Sequence, residues 1–339
     1  YAGVPGAQNL VFYDGTNSDQ TIAAYKTRVS PRDLRSLSVL PDYISTNGPD
    51  ASFLHLSPIT GCELASAGNN AGILLATDFD GDSRMTSSPF LTDIGADEYS
   101  KVNVWTGANS SNWNDAGNWS EGVVPNDITR NVSISTPPVT QPVINVGNTF
   151  QVSNIILQPG ASLTNRGTLQ VSGGLYGAAG SINNIQAGLA VGSIEMNGDC
   201  STSQPLAGNV FVNNLVKDFK VSNDVTISSV NGEQLNIEGT LSFGAVPGKT
   251  LFTGDNVNLK STANATANVA NMTGHSISGK VTVERYVNTG LPADGRHPKS
   301  WQFLATPAKN QSVFQSWQES GATPAGFGTI ITGTGSGFD

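Results

Sequence analysis

Apolar and polar residues alternate over short stretches through most of the central chain, and turn-forming residues separate these stretches. In "TLQV" and "QLNI", every second residue is apolar, so Leu169 and Val171, and likewise Leu235 and Ile237, are predicted to face one buried side of a strand. Gly, Asn, Asp and Pro bound the runs, as they do around strands. The pattern therefore predicts an all-β chain.

One stretch near the start of the chain has a helical pattern instead. In "SDQTIAAYKTRVS", Ser18 or Asp19 is a candidate N-cap, and Ile22, Tyr25 and Val29 share one face at helical spacing. We expect a short helix there that ends near Val29.

Strand, tight turn and short strand recur at roughly 18–25 residues from "NIIL" through "TLQV" and "NVNL" to "GKVTV". Such a rhythm is typical of a parallel β-helix or β-solenoid, in which each coil pairs with the next. An antiparallel β-sandwich gives a similar rhythm and remains the alternative.

The composition fits a thin β-fold and narrows the choice of partners. Hydrophobic residues make up 37% of the 339 residues, with 38 Gly and 17 Pro, and only 13% are charged, which argues against disorder. A net charge of −9 argues against nucleic acid as a partner, and the sequence has no apolar run long enough to predict a membrane span.

The chain starts at Tyr1 without an initiator Met and ends in "GTGSGFD", so we expect an internal fragment of a longer protein.

Cys62 and Cys200 are the two cysteines of the chain. They are predicted to lie in different modules and make neither a metal site nor a disulfide framework, and whether they pair stays open.

Six carboxylates lie in the stretch from Asp78 to Glu98, which we call the acidic segment. They are Asp78, Asp80, Asp82, Asp93, Asp97 and Glu98. One interpretation is a calcium loop, because Asp78, Asp80 and Asp82 alternate around Gly81, with Asp97 or Glu98 completing the ligands. An EF-hand is excluded, since Pro89 stands where its bidentate acid belongs and no helix is predicted on either side.

Two other interpretations of the acidic segment compete with calcium. Catalytic carboxylates of a solenoid hydrolase would lie on the sheet face of the middle coils, whereas this segment is predicted to be a terminal turn. The chain has three His, scattered along it, and it lacks the motifs of serine hydrolases and zinc proteases, so no catalysis is predicted. The favoured interpretation is structural: the acids cap turns, and Arg84 pairs in bidentate fashion with one of them, which ties the closing loop to the last coil.

Trp105, Trp113 and Trp119 lie close together in "WTGANSSNWNDAGNWSEGVVPNDI". Three indoles supply much of the apolar area of a small core, so we expect them to cover the open end of the first coil. The alternative is an exposed aromatic platform that stacks on sugar rings.

Several of these stretches resemble blocks of very large secreted surface proteins of Bacteroidetes. "TDFDGDSRM" and "TDIGADEY", after "FLHLSP" and "AGNNAG", are similar to the closing segment of their right-handed parallel β-helix domains. The Trp-rich stretch is similar to the opening of the repeat modules that follow, and "GKVTVERYV" with "KSWQFLATPA" to the module before a C-terminal sorting domain.

The resemblance implies three units and a role. Residues 1–101 would end a parallel β-helix domain, 102–287 would form a Trp-initiated β-solenoid, and 288–339 would begin a β-rich, sandwich-like module. Such proteins are adhesin-like, leave the cell through the type IX secretion machinery and stay at the cell surface or are released. We therefore expect a structural and adhesive segment that meets surface glycans or other surface proteins. The alternatives are a carbohydrate-binding module that uses the three Trp, or the non-catalytic tail of a polysaccharide-degrading β-helix enzyme.

Overall fold

A computed structural model of the chain describes residues 5–39, 41, 43–56, 64, 67–68, 75–84, 91–99, 101–136, 140–198, 203–229 and 232–286. The predicted module at 288–339 and the two cysteines lie outside these residues.

The described residues before Lys101, which we call the leading segment, contain two short strands and one helix. They are β1 (Phe12–Tyr13), β2 (Ser18–Asp19) and α1 (Ile22–Val29).

From Lys101 onward the described chain is a succession of short strands. The first eleven are β3 (Lys101–Val104), β4 (Arg130–Ile134), β5 (Val143–Ile144), β6 (Thr149–Val152), β7 (Ile155–Leu157), β8 (Leu163–Asn165), β9 (Thr168–Val171), β10 (Leu175–Tyr176), β11 (Ile182–Asn183), β12 (Ile185–Gln186) and β13 (Leu189–Ala190). The next twelve are β14 (Ser193–Met196), β15 (Gln204–Ala207), β16 (Leu215–Val216), β17 (Phe219–Val221), β18 (Val225–Ser228), β19 (Leu235–Ile237), β20 (Thr240–Phe243), β21 (Thr250–Phe252), β22 (Val257–Leu259), β23 (Asn268–Val269), β24 (Ser276–Ser278) and β25 (Val281–Val283). Three single 3₁₀ turns lie between them, at Ala116–Asn118, Gly208–Val210 and Val212–Asn214.

These strands form a three-sided parallel β-solenoid of about six turns. Each coil places one strand on each side. The first side holds β3, β4, β7 and β10, then β15, β18, β21 and β24; the second holds β5, β8 and β11, then β16, β19, β22 and β25; the third is one six-stranded sheet of β6, β9, β14, β17, β20 and β23. Strands pair in parallel with the same side of the next coil, and β12 and β13 form an antiparallel hairpin between the second and third sides of one coil. The predicted all-β solenoid is confirmed.

The alternation of apolar residues places one continuous core inside the coils. Leu169 and Val171 are fully buried, as are Leu235 and Ile237, as the pattern predicts. On the third side, Leu169 pairs in register with Ile194, and Ile194 with Phe219. Burying such a side chain stabilises the fold by about 1.5–3 kcal/mol, so stacked apolar residues account for much of the stability of the solenoid.

Asparagine side chains link neighbouring coils where polar groups must be buried. The Asn154 Nδ2 donates to Asn131 Oδ1 at 2.8 Å, and the Asn165 Nδ2 donates to Asn184 Oδ1 at 3.0 Å. The second bond satisfies a donor that is fully buried, which is the usual condition for burying an amide.

The leading segment confirms the predicted helix but corrects its N-cap. Thr21 caps the helix, accepting a hydrogen bond from the Ala24 N–H at 3.2 Å. Ser18 and Asp19 are not the cap, because they pair with β1 as strand β2 and Asp19 binds Arg28 through its carboxylate. The predicted face of the helix is half-buried, and none of its residues is fully buried.

Between residues 43 and 99, the described residues contain isolated bridges but no strand ladder. Tyr43 pairs with Leu56, Ser45 with Phe53, and Thr77 with Ser83.

The assignment of 1–101 to the end of a β-helix domain, like the other two domain bounds, stays a prediction. None of the described helices is long and apolar enough to cross a membrane.

Candidate functional site

The acidic segment folds around the side chain of Asp78. Its Oδ1 accepts hydrogen bonds from the backbone N–H groups of Asp80 and Asp82, at 2.9 and 2.8 Å, and its Oδ2 accepts one from the Glu98 N–H at 2.8 Å. Gly81 has φ of +92°, which a residue with a Cβ rarely adopts, and so permits the tight turn. Asp78 therefore closes its own loop and ties it to the backbone at Glu98.

These contacts also set the acidity of Asp78. Burial by itself would raise the pKa of this carboxyl. Backbone donors from Glu98, Asp82, Asp80 and Gly81 together outweigh burial, and the pKa lies below its usual value. The carboxylate is thus held in its charged form by the turn that it organises.

Arg84 anchors the same segment, as the structural interpretation predicted. Its Nη1 donates to Thr92 Oγ1 at 3.0 Å and to Glu98 Oε2 at 3.4 Å, and its Nη2 donates to the carbonyls of Gly95 and Ala96. The pairing with Glu98 uses one nitrogen and is not bidentate. Because Glu98 is buried, this guanidinium compensates a charge that water does not reach.

The four predicted calcium ligands are divided by these contacts. Both oxygens of Asp78 are bound by backbone N–H groups, while Asp80 and Asp82 are exposed. Asp97 is buried and accepts the Leu56 N–H on Oδ2 at 2.8 Å. The structure brings one donor atom each of Asp80, Asp97 and His55 within 4.8 Å of one another. The His55 Nε2 lies 3.1 Å from Asp80 Oδ2.

The Trp cluster, formed by Trp105, Trp113 and Trp119, lies in the core at the start of the solenoid. The ring centroids of Trp105 and Trp119 are 5.0 Å apart and those of Trp113 and Trp119 are 4.7 Å apart, both edge-to-face. Trp113 also packs on Phe150 of β6 at 5.8 Å. The three residues are 1%, 0% and 3% exposed.

Each indole N–H of the Trp cluster has a backbone acceptor. Trp105 Nε1 donates to Thr140 O at 2.8 Å, Trp119 Nε1 to Trp113 O at 2.9 Å, and Trp113 Nε1 to Pro125 O at 3.4 Å. Aromatic rings that stack on sugars must present a face to solvent. With rings and N–H groups both enclosed, the cluster fits the predicted cap of the first coil, and a sugar platform would require it to be uncovered.

The outer surface of the third side carries two rows of polar side chains in register, which we call the polar rows. One row contains Thr149, Thr168, Ser193, Asp218, Thr240 and Asn268, and the other contains Gln151, Gln170, Glu195, Lys220 and Ser242. An open groove of about 380 Å³ lies along their middle, lined by hydroxyls, two carboxylates and one ammonium group. The groove places two carboxylates, an ammonium group and several hydroxyls side by side on the outer face of one sheet.

Glu195 is the centre of a hydrogen-bonded network in this groove. Its Oε1 accepts from Ser222 Oγ at 2.7 Å and lies 3.0 Å from Lys220 Nζ, and its Oε2 accepts from Gln170 Nε2 at 2.7 Å. Burial would raise the pKa of Glu195, but the bonds from Ser222, Lys220 and Gln170 outweigh it and lower the pKa. The network therefore holds a nearly buried carboxylate in its charged form on the outer side of the sheet.

Sequence reasoning missed both His55 and the polar rows. His55 stands 25 residues before Asp80, and no spacing rule links the two. The polar rows had a signal, since Gln170, Glu195 and Lys220 are outward residues of strands one coil apart, each 25 positions after the last. Finding them required the register of the coils.

Comparisons of this chain with family models, with curated proteins and with solved structures yield no match in any of the three.

Proposed function

We propose that the chain is a structural and adhesive segment of a large secreted cell-surface protein, without catalysis of its own. Export through the type IX secretion machinery and an origin in Bacteroidetes belong to this proposal and rest on the sequence resemblance described above. The coils supply reach and stiffness, and the polar rows supply the contact surface.

The stacking of the coils carries the proposal. Neighbouring parallel strands lie about 4.8 Å apart, so six coils extend the segment by roughly 30 Å. Every coil from the Trp cluster to Leu259 contributes to one apolar core, and such quasi-one-dimensional folds resist bending because each coil is held by both neighbours. A repeated fold of this kind is suited to spacing and display.

The polar rows favour weak, extended contacts over the enclosure of a substrate. The groove is open and its charged centre, Glu195, is already satisfied by Lys220, Ser222 and Gln170. Hydroxyls, amides and carboxylates on a flat sheet suit surface glycans or the polar surface of another protein, which agrees with the adhesive role.

The test is attachment by beads coated with the full chain to glycan-coated and cell-coated surfaces under flow. Ser242→Arg introduces a long side chain into the groove and should reduce attachment severalfold. Thr226→Arg, an outward residue of β18 on the first side, is the matched control and should leave attachment unchanged. Equal attachment by both variants and the native chain would contradict the role of the polar rows.

The absence of catalysis has its own test. The chain is incubated with a panel of polysaccharides, and new reducing ends and unsaturated products are measured. We expect neither. If the chain cleaves a polysaccharide and Glu195→Gln or Asp218→Asn abolishes the cleavage, an enzymatic function would replace the proposal.

A further inference from the structure

His55, Asp80 and Asp97 converge from three separate stretches of the leading segment. One donor atom of each, an imidazole nitrogen or a carboxylate oxygen, lies within 4.8 Å of the other two. Four ligands around Zn²⁺ stand about 3.3 Å from one another, given metal–ligand distances near 2.0–2.1 Å. The 3.1 Å between His55 Nε2 and Asp80 Oδ2 fits this spacing, and binding would require the Asp97 side chain to rotate toward the other two.

Asp97 is an observation of its own that points to a cation. It is 9% exposed, and its single hydrogen bond in the described part of the chain comes from the Leu56 N–H. No Lys or Arg among the described residues pairs with it, in contrast to buried Glu98, which has Arg84. A buried carboxylate without a cation is costly, and a bound metal ion removes that cost.

Hydrogen bonds fix the course of the backbone at His55 and Asp80 and the side chain of Asp97. Leu56, next to His55, donates to Asp97, and the Ile44 N–H donates to the His55 carbonyl at 2.9 Å. The Asp80 N–H donates to Asp78. The bond to Asp97 is of the kind found in metal sites, where a hydrogen bond to a ligating side chain fixes the direction of its donor atoms.

We propose that His55, Asp80 and Asp97 bind one divalent transition-metal ion of the Zn²⁺ type, with water as a further ligand. The donor set decides the class of metal: Ca²⁺ takes six to eight oxygen ligands, whereas imidazole nitrogen with two carboxylates suits Zn²⁺. His55 and Asp80 have side chains about one-third exposed, which leaves a path for the ion and the water. This site differs from the predicted calcium loop, since it uses His55 and does not use Asp78 or Asp82.

The bound ion would cross-link parts of the chain that strand ladders do not join. Residues 43–56, 75–84 and 91–99 are connected in the structure by side-chain hydrogen bonds and by a backbone bond from the Phe79 N–H to the Ala96 carbonyl. A metal ion that ties these three stretches together would stabilise the leading segment independently of the solenoid.

The test is calorimetric titration of the full chain, without a polyhistidine tag, with Zn²⁺ and separately with Ca²⁺. Cys62→Ser and Cys200→Ser form the background, so that thiols do not bind zinc. We expect one Zn²⁺ per chain, an affinity for Zn²⁺ well above that for Ca²⁺, and a loss of at least about tenfold in Zn²⁺ affinity in His55→Ala and in Asp97→Asn. Circular dichroism confirms that each variant is folded.

Two matched controls separate this site from the alternatives. Asp82→Asn removes a predicted calcium ligand, and His275→Ala removes a histidine that stacks on Phe243; both should bind Zn²⁺ as the parent does. Co²⁺ in place of Zn²⁺ should give visible absorption that disappears in His55→Ala.

The proposal is overturned if Zn²⁺ does not bind at micromolar concentrations, or if it binds equally well without His55. Preferential Ca²⁺ binding that depends on Asp82 and not on His55 would establish the calcium loop instead. Because neither outcome involves the solenoid, both leave the proposed function of the coils untouched.

Discussion

The solenoid and the leading segment use different physical means to stay folded. In the solenoid, backbone groups pair with the next coil, and one apolar core runs from Trp105 to Leu259. In the leading segment, carboxylates do much of this work: Asp19 binds Arg28, Asp78 binds three backbone N–H groups, and Glu98 binds Arg84.

The difference shows what repetition contributes. A coil needs mainly apolar residues at inward positions, because its neighbours supply partners for its backbone, and a few buried asparagines bond between coils. A segment without such neighbours must satisfy its backbone with particular side chains, each with a particular partner. We therefore expect the solenoid to respond to loss of apolar volume and the leading segment to respond to loss of charge.

The largest effect is expected from Phe219→Ala, which removes a fully buried ring from the third side. The cavity should lower the free energy of unfolding of the solenoid by about 3–5 kcal/mol, measured by denaturant titration. Phe79→Ala is the control, because Phe79 is 85% exposed in the acidic segment and its loss should change stability by less than about 0.5 kcal/mol. Similar losses in both variants would remove the basis for the comparison.

The next effect is expected from Arg84→Ala, which removes the guanidinium that pairs with buried Glu98. The acidic segment should lose about 3 kcal/mol of local stability. Hydrogen exchange should report faster exchange at residues 92–99, while amides of the solenoid strands keep their protection. Arg35→Ala, at an exposed arginine, is the matched control. Faster exchange throughout the solenoid in Arg84→Ala would mean that the two regions unfold as one.

The smallest effect is expected from Glu195→Gln. The folded-state pKa of Glu195 lies below its ordinary value of 4.5, so its contribution to stability is present above that value and is lost as the pH falls through the folded pKa. At pH 7 the variant should be less stable by about 1–2 kcal/mol. The difference should shrink as the pH falls below 4.5 and vanish once the pH is below the folded-state pKa, as thermal melts of both proteins across acidic pH would show. A difference independent of pH would show that packing, not charge, explains the loss.

The local pattern of apolar and polar residues was enough to predict the class of fold. Alternation in "TLQV" and "QLNI" predicts the buried residues because strand periodicity is set within a few positions. It does not predict that each coil has three sides, since that depends on turns whose lengths vary between coils. Asn165 illustrates the limit: its amide is buried because Asn184 of the next coil accepts from it, and neither residue alone indicates this.

The site was less predictable than the fold for the same reason. The acidic segment was visible because its carboxylates are close in sequence, and its role in turns followed from residue type. The grouping of His55 with Asp80 and Asp97 depends on how three stretches without strand ladders pack together. The predicted helix cap was wrong by two or three residues. Ser18 and Asp19 form strand β2 and pair with β1, and this strand pairing outweighs their local preference for the cap position.

The most direct test of stacked, stiff coils is a set of distances between spin labels along the third side. Cysteines replace Thr149 and either Thr240 or Asn268, in a background without Cys62 and Cys200. The two pairs span four and five coil spacings, so pulsed electron resonance should give narrow distributions near 19 Å and 24 Å, differing by about one spacing of 4.8 Å. Broad distributions, or a second distance no longer than the first, would contradict the stacked solenoid and the spacer function built on it.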